Sequence, residues 1–218
     1  MNSLLGNLRE SPDRDAALES YRALANGYDA SCRPIERLRL AAIDALELEP
    51  GDTVYDVACG TGALLPELAR RVGERGRVVG IEQSPDMARQ AMARFPSGAL
   101  PPNVELLVAP VEEASPRTRA DALLLCYTHD VLRSPRALEN LLAHARPRAR
   151  IAVLGLQLLP WWWGAPINLW NLWRARRYVT TYRGLKTPWA LLAERTEDLR
   201  LLRRFHLGTS YLAVGRTR

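Results

Sequence analysis

Between residues 53 and 155 the chain alternates short, continuous apolar runs with amphipathic helical stretches, and few folds accept that pattern. The runs cover 53–58, 77–82, 104–108, 121–126 and 150–155. Continuous rather than alternating apolarity means burial on both faces, as in parallel strands. Between them, Leu64, Leu65 and Leu68, then Ala88, Ala91, Met92 and Phe95, then Leu138, Leu141 and Leu142 mark helix faces turned inward. Ser84-Pro85 and Ser134-Pro135 each read as an N-cap followed by a first-turn proline. Upstream, Pro34 opens a helix to about Leu46, and the turn Glu49-Pro50-Gly51-Asp52 ends it. Downstream, 199–205 and 209–214 flank Gly208 as a terminal β-hairpin. The expected architecture is α/β: a mixed seven-stranded sheet with helices on both faces.

A length of 218 residues suits one domain spanning 1–218. Within it we expect an arm and first helix over 1–50, a ligand-binding core over 51–156, a cap over 157–187, and a helix and hairpin over 188–218. Residues 1–20 read as a loose arm or short helix. Three cysteines, Cys32, Cys59 and Cys126, form neither a paired framework nor a close-spaced metal motif. A reducing cytoplasm and no metal are the expectation, and the N-terminus lacks the pattern of a signal peptide. The formal net charge of +6 is concentrated at the end of the chain. Eleven Lys/Arg stand against three Asp/Glu between 174 and 218. No nucleic-acid-binding motif accompanies this charge, so nucleic acid is not expected as a partner.

The turn Val54-Tyr55-Asp56-Val57-Ala58-Cys59-Gly60-Thr61-Gly62 carries the strongest chemical signal. Its glycines allow a tight turn and close backbone approach, and the helix that follows offers free N–H groups. Glu82 ends the second run, twenty residues after Gly62, where a carboxylate can accept both hydroxyls of a ribose. Two nucleotide classes use this geometry. A dinucleotide site expects a third glycine where this chain has Leu65, and Asp56 would repel its pyrophosphate. The same carboxylate suits a ligand that carries an ammonium group and no phosphate.

This turn resembles motif I of the class I S-adenosylmethionine-dependent methyltransferases. Val79-Gly80-Ile81-Glu82-Gln83-Ser84-Pro85-Asp86-Met87 resembles their second motif, and Ala120-Asp121 with the following strand their fourth. The likeness covers roughly residues 28–155 and is nearest to the small-molecule type of quinone-biosynthesis C-methyltransferases. It implies a Rossmann-like class I methyltransferase fold, S-adenosylmethionine as cofactor and a small-molecule acceptor. By this resemblance Asp56, Ala58, Gly60, Thr61 and Gly62 hold the methionine end, and Glu82 the ribose. Gln83, Met87, Pro110 and Val111 border the adenine, Cys126 and Tyr127 lie beside the methionine portion, and Tyr28 closes over the cofactor. The family often has an acidic residue after the third strand, where this chain reads Ala109-Pro110-Val111, leaving adenine to backbone groups or Glu112.

Methyl transfer is an in-line displacement whose rate rests chiefly on positioning, with a base needed for hydroxyl, acidic-carbon or protonated-amine acceptors. His129 is the candidate base; the alternative is a histidine that packs against the cap or bonds backbone. Asp130 either orients it or starts a turn. All six tryptophans lie between 161 and 189. They read as an aromatic lid over an apolar acceptor, with Trp162, Trp163, Tyr178 and Tyr182 as candidate substrate contacts. The same stretch also fits simple packing or an interfacial membrane segment, while Pro160, Pro166, Gln157, Asn168 and Asn171 argue against a transmembrane helix. The expected function is methyl transfer to a small, largely apolar or aromatic acceptor. The alternatives are a peripheral membrane methyltransferase acting on a quinone or lipid headgroup, a cofactor-binding domain without methyl transfer, and a nucleotide-dependent oxidoreductase.

Overall fold

The computed structural model describes residues 9–24, 27–95 and 98–218. Seven strands form one sheet: β1 (Thr53–Val57), β2 (Arg77–Glu82), β3 (Val104–Val108), β4 (Ala120–Cys126), β5 (Ala145–Leu156), β6 (Thr196–Phe205) and β7 (Ser210–Thr217). Their order is β3-β2-β1-β4-β5-β7-β6. The first five strands run parallel, and β7 enters antiparallel between β5 and β6. The chain builds outward from β1 to β3 and then returns to place β4 on the other side of β1. That reversal opens a crevice beyond the carboxyl ends of β1 and β4, where such sheets bind ligands.

The helices are α1 (Arg14–Leu24), α2 (Tyr28–Cys32), α3 (Glu36–Asp44), α4 (Leu65–Val72), α5 (Pro85–Ala93), α6 (His129–Leu132), α7 (Pro135–Ala143), α8 (Trp161–Ala175) and α9 (Ala190–Ala193). The helix expected from Pro34 begins earlier and is broken: α2 passes through a short 3₁₀ turn over Arg33–Ile35 into α3. Both predicted caps form, Ser84 Oγ accepting from the Met87 N–H and Ser134 Oγ from the Ala137 N–H. Two apolar layers enclose the sheet. One gathers Ile43, Leu65, Leu68 and Leu124, the other Tyr55, Leu123, Leu138 and Tyr211.

β5 starts five residues before the predicted run. Its first half, Ala145-Arg-Pro-Arg-Ala149, is mostly exposed and carries an irregularity in its pairing with β4. Thr217 secures it, donating from Oγ1 to the Arg146 carbonyl and accepting from the Ala149 N–H at 2.8 Å. The terminal hairpin is present as β6 and β7. Residues 1–8 of the expected arm lie outside the described residues, and the remainder largely forms α1.

Candidate active site

β1 ends by driving Asp56 into the sheet between Gly80 of β2 and Leu124 of β4. The chain then turns sharply. Ala58 (φ 51°), Gly60 (φ 59°) and Gly62 (φ 68°) all take left-handed backbone conformations, and so does Tyr127 (φ 59°) at the end of β4. For Ala58 and Tyr127 that is strained geometry, gathered where the two strands open the crevice. A Cβ on Gly62 would lie 2.7 Å from the Ala91 side chain, so only glycine lets this turn pack on α5.

A cavity of about 410 Å³ fills the crevice. Of the residues expected to bind a ligand, it brings together Tyr28, Asp56, Ala58, Gly60, Glu82, Gln83, Met87, Pro110, Val111, Cys126, Tyr127, His129 and Tyr178. Asp56 is buried, and its Oδ2 has no hydrogen-bond partner. Burial pushes its carboxyl up to about 7, with Arg39 pulling the other way and Glu82 adding to the rise. Glu82 accepts the Gly60 N–H at 2.8 Å and the Ser84 N–H at 2.7 Å, which fixes its carboxylate across the mouth of the turn. Desolvation raises its pKa and these backbone bonds oppose the rise.

Arg39 and Tyr21 also line the cavity, and neither was picked out from the sequence. Arg39 is a buried arginine on the inner face of α3, beside Leu38, Ala42 and Ile43. A lone charge on an otherwise buried stripe was the available signal. Its Nη2 contacts Cys32 Sγ at 3.5 Å and its Nε is buried without a partner. Burial works against its charge, but Cys32, Tyr28, Cys126 and Asp56 hold it protonated, above its ordinary value.

His129 is buried at the start of α6. Burial lowers its pKa to about 4. Asp130 does not orient it, because its carboxylate is occupied by the N–H and hydroxyl of Thr180 at 3.1 and 2.7 Å.

The roof differs from the expected one. It is built by 11–14, Ala17 and Tyr21 at the front of the chain, together with Tyr28 and Tyr178. The tyrosine rings meet edge to face, Tyr21–Tyr28 at 6.2 Å and Tyr28–Tyr178 at 6.0 Å. Tyr21 Oη donates to the Tyr178 carbonyl at 2.9 Å. Trp162 and Trp163 do not reach the cavity; they lie on α8, which turns its aromatic side outward. Tyr182 is also absent from the lining and donates to the Leu172 carbonyl at 2.9 Å. Thr61 and Gly62, within the turn, are absent from the lining. The Thr61 hydroxyl donates to Asp29 at 2.6 Å, and Arg94 bonds both Thr61 and Asp29, tying the turn to α2.

S-Adenosylmethionine offers this site an α-ammonium, an α-carboxylate and a ribose diol. An unpartnered buried carboxylate on Asp56, an unpartnered guanidinium nitrogen on Arg39 and a fixed carboxylate on Glu82 are the matching groups. A pyrophosphate would instead face Asp56 and Glu82, two anions.

Residues 54–148 match a family described as a methyltransferase domain. The chain is 35% identical over 108 residues to the 2-phytyl-1,4-naphtoquinone methyltransferase of Nostoc sp., covering 49% of this chain and 47% of that protein. It is 30% identical over 115 residues to the ubiquinone/menaquinone biosynthesis C-methyltransferase UbiE of Hydrogenovibrio crunogenus, covering 52% and 45%. The chain thus spans about half the length of these curated relatives. The N-methyltransferase NodS of Bradyrhizobium japonicum WM9, solved with S-adenosyl-l-homocysteine, shares the fold at a TM-score of 0.66 and 15% identity, covering 93% of this chain and 98% of that one. Residues 54–148 thus match a methyltransferase domain, and the chain as a whole shares its fold with a solved S-adenosylmethionine-type methyltransferase.

Proposed function

We propose that the protein transfers a methyl group from S-adenosylmethionine to a small, largely apolar acceptor of the quinone type. The observation that carries the cofactor is the pair Asp56 and Arg39, two buried groups of opposite charge with unsatisfied atoms in one cavity. The relatives, named for phytyl-naphthoquinone and for ubiquinone and menaquinone biosynthesis, support the acceptor class. The cofactor, when bound, supplies an electrophilic methyl on a sulfonium. Asp56 pairs with its ammonium, Arg39 with its carboxylate and Glu82 with its ribose hydroxyls. Gln83, Met87, Pro110 and Val111 border the adenine, and Glu112, whose carboxylate accepts from Ser134 Oγ at 2.6 Å, stands beside them. Asn140 braces that turn by donating to the Val111 and Ala114 carbonyls. The edge-to-face tyrosines close the site against water, and His129 takes the proton that an aromatic carbon or hydroxyl must lose.

Calorimetry with S-adenosylhomocysteine and with NAD tests the cofactor. Binding of the first, lost in Asp56→Ala, and none of the second is the expected result. A methyl-labelled cofactor assayed against reduced naphthoquinones, phenols and amines tests the acceptor. Transfer to amines alone would overturn the quinone class, and NAD binding would overturn the whole reading.

A further inference from the structure

α8 is an amphipathic helix turned inside out. Its buried residues are Gly164 and Asn168. Its exposed positions include Trp162, Pro166, Leu169, Trp170 and Trp173, spaced to share one face. Trp162 is 87% exposed, Leu169 61% and Trp170 57%. Polar bonds help to hold the inner side: Asn168 accepts the Leu159 N–H and donates to the Leu159 carbonyl, both at 2.9 Å. Gly164 lets the helix lie directly against Leu159. The aromatic face therefore contributes little to the core, although Trp170 and Trp173 stack on each other at 5.3 Å.

The rim of this face is cationic. Lys186 and Arg204 line one groove with Trp161, Trp162, Trp163 and Leu207, and Leu207 is itself 80% exposed. Arg174 and Arg177 are exposed at the helix end, and the Arg176 guanidinium lies 4.4 Å from the Trp173 ring centroid. The sequence contains no Asp or Glu between Glu139 and Glu194.

We propose that the outward face of α8 docks the protein on an anionic phospholipid surface. Tryptophan at the headgroup boundary with arginine and lysine around it is the chemistry such a surface selects. A large exposed apolar patch with a charged rim marks a contact site in general. Charge complementarity chooses the occupant here, since the same face of a second copy brings no acidic residue to this rim. The helix has 15 residues, and no helix among the described residues is long and apolar enough to cross a membrane, so α8 lies along the surface. The inference does not depend on the acceptor class.

The test is co-sedimentation with phosphatidylcholine vesicles, with and without phosphatidylglycerol, at low and high salt, without cofactor. The comparison variant is Trp162→Ser/Trp170→Ser/Trp173→Ser, checked for folding by its thermal melt. The wild type is retained on the anionic vesicles at low salt and released by high salt, and the variant binds roughly tenfold more weakly. Equal retention of the folded variant overturns the proposal, as does equal retention on phosphatidylcholine alone or no retention at low salt. A dimer in sedimentation that the variant dissociates, without vesicle binding, assigns the face to a second copy instead.

Discussion

The Nε2 of His129 lies 3.0 Å from the carbonyl oxygen of Arg183. A carbonyl can only accept, so Nε2 carries the proton and Nδ1 keeps the ring's lone pair. That Nδ1 is buried without a partner. The bond thus selects the tautomer that leaves a basic nitrogen free. With the pKa lowered by burial to about 4, the ring stays neutral well below the usual range. At saturating cofactor and acceptor, kcat should show no loss through this group down to about pH 5.5, where an ordinary histidine would lose about tenfold. His129→Ala should lower kcat about a hundredfold for an acceptor that must shed a proton. Unchanged turnover in that variant would remove His129 from the reaction.

Asp56 links pH to both stability and binding. Its folded pKa, about 7, lies above the unfolded value, so the folded state holds the proton more tightly. The stabilisation it contributes is full at low pH and is lost as pH rises towards 7. Asp56→Asn should therefore be more stable than the wild type at about pH 8, by about 3 kcal/mol in urea unfolding. A cationic ligand reverses the preference. Affinity for S-adenosylhomocysteine should rise up to about tenfold per unit between about pH 5.5 and 7 and then level off, with proton release seen by calorimetry in buffers of different ionisation enthalpy. A flat profile would mean that the ammonium does not pair with this carboxylate.

Gly62 should tolerate no side chain. Its left-handed backbone and the 2.7 Å approach of an added Cβ to Ala91 act together. Gly62→Ala should cost about 2–4 kcal/mol in chemical unfolding. Gly73 has open space around an added Cβ, but its φ of 68° and ψ of −175° lie in a region essentially reserved for glycine, so Gly73→Ala should still lose about 1–3 kcal/mol, from backbone strain alone.

Asn168 offers a separate check on how α8 is held. Asn168→Leu would strand the buried N–H and carbonyl of Leu159, for a loss of about 2–4 kcal/mol. Trp170→Ser, on the opposite and exposed side of the same helix, should change the unfolding midpoint little. Reversed magnitudes would show that the aromatic side is the buried one in solution.

The sheet was legible because its parallel strands are buried on both faces. Val54, Tyr55, Val57, Leu123, Leu124 and Leu125 read as continuous apolar runs, and burial is what such runs encode. Asp56, Gly60 and Glu82 were legible because spacing along a strand–turn–helix unit fixes their places locally. The roof was not. Tyr21 lies in a polar helix whose docking depends on Tyr178, 157 residues away, and no local pattern reports such a contact. The tryptophans misled for a related reason. Periodicity shows that Trp162, Trp170 and Trp173 share a side, but not which way that side faces. Gly164 and Asn168 decide it by bonding and fitting against Leu159. The first half of β5 was missed because its arginines point to water while Thr217, far along the chain, completes its hydrogen bonds.

The cavity's ceiling is stitched from opposite ends of the chain. The Thr180 hydroxyl accepts the Asp13 N–H at 2.9 Å and donates to the Asp130 carboxylate, Thr181 Oγ1 donates to the Arg9 carbonyl at 2.7 Å, and Arg183 reaches Glu10 at 2.9 Å. These seams run beside the His129 bond to Arg183. The tautomer of His129 therefore rests on a segment that is itself held by the front of the chain, so a break at Arg9, Glu10 or Asp13 would reach the imidazole without touching it.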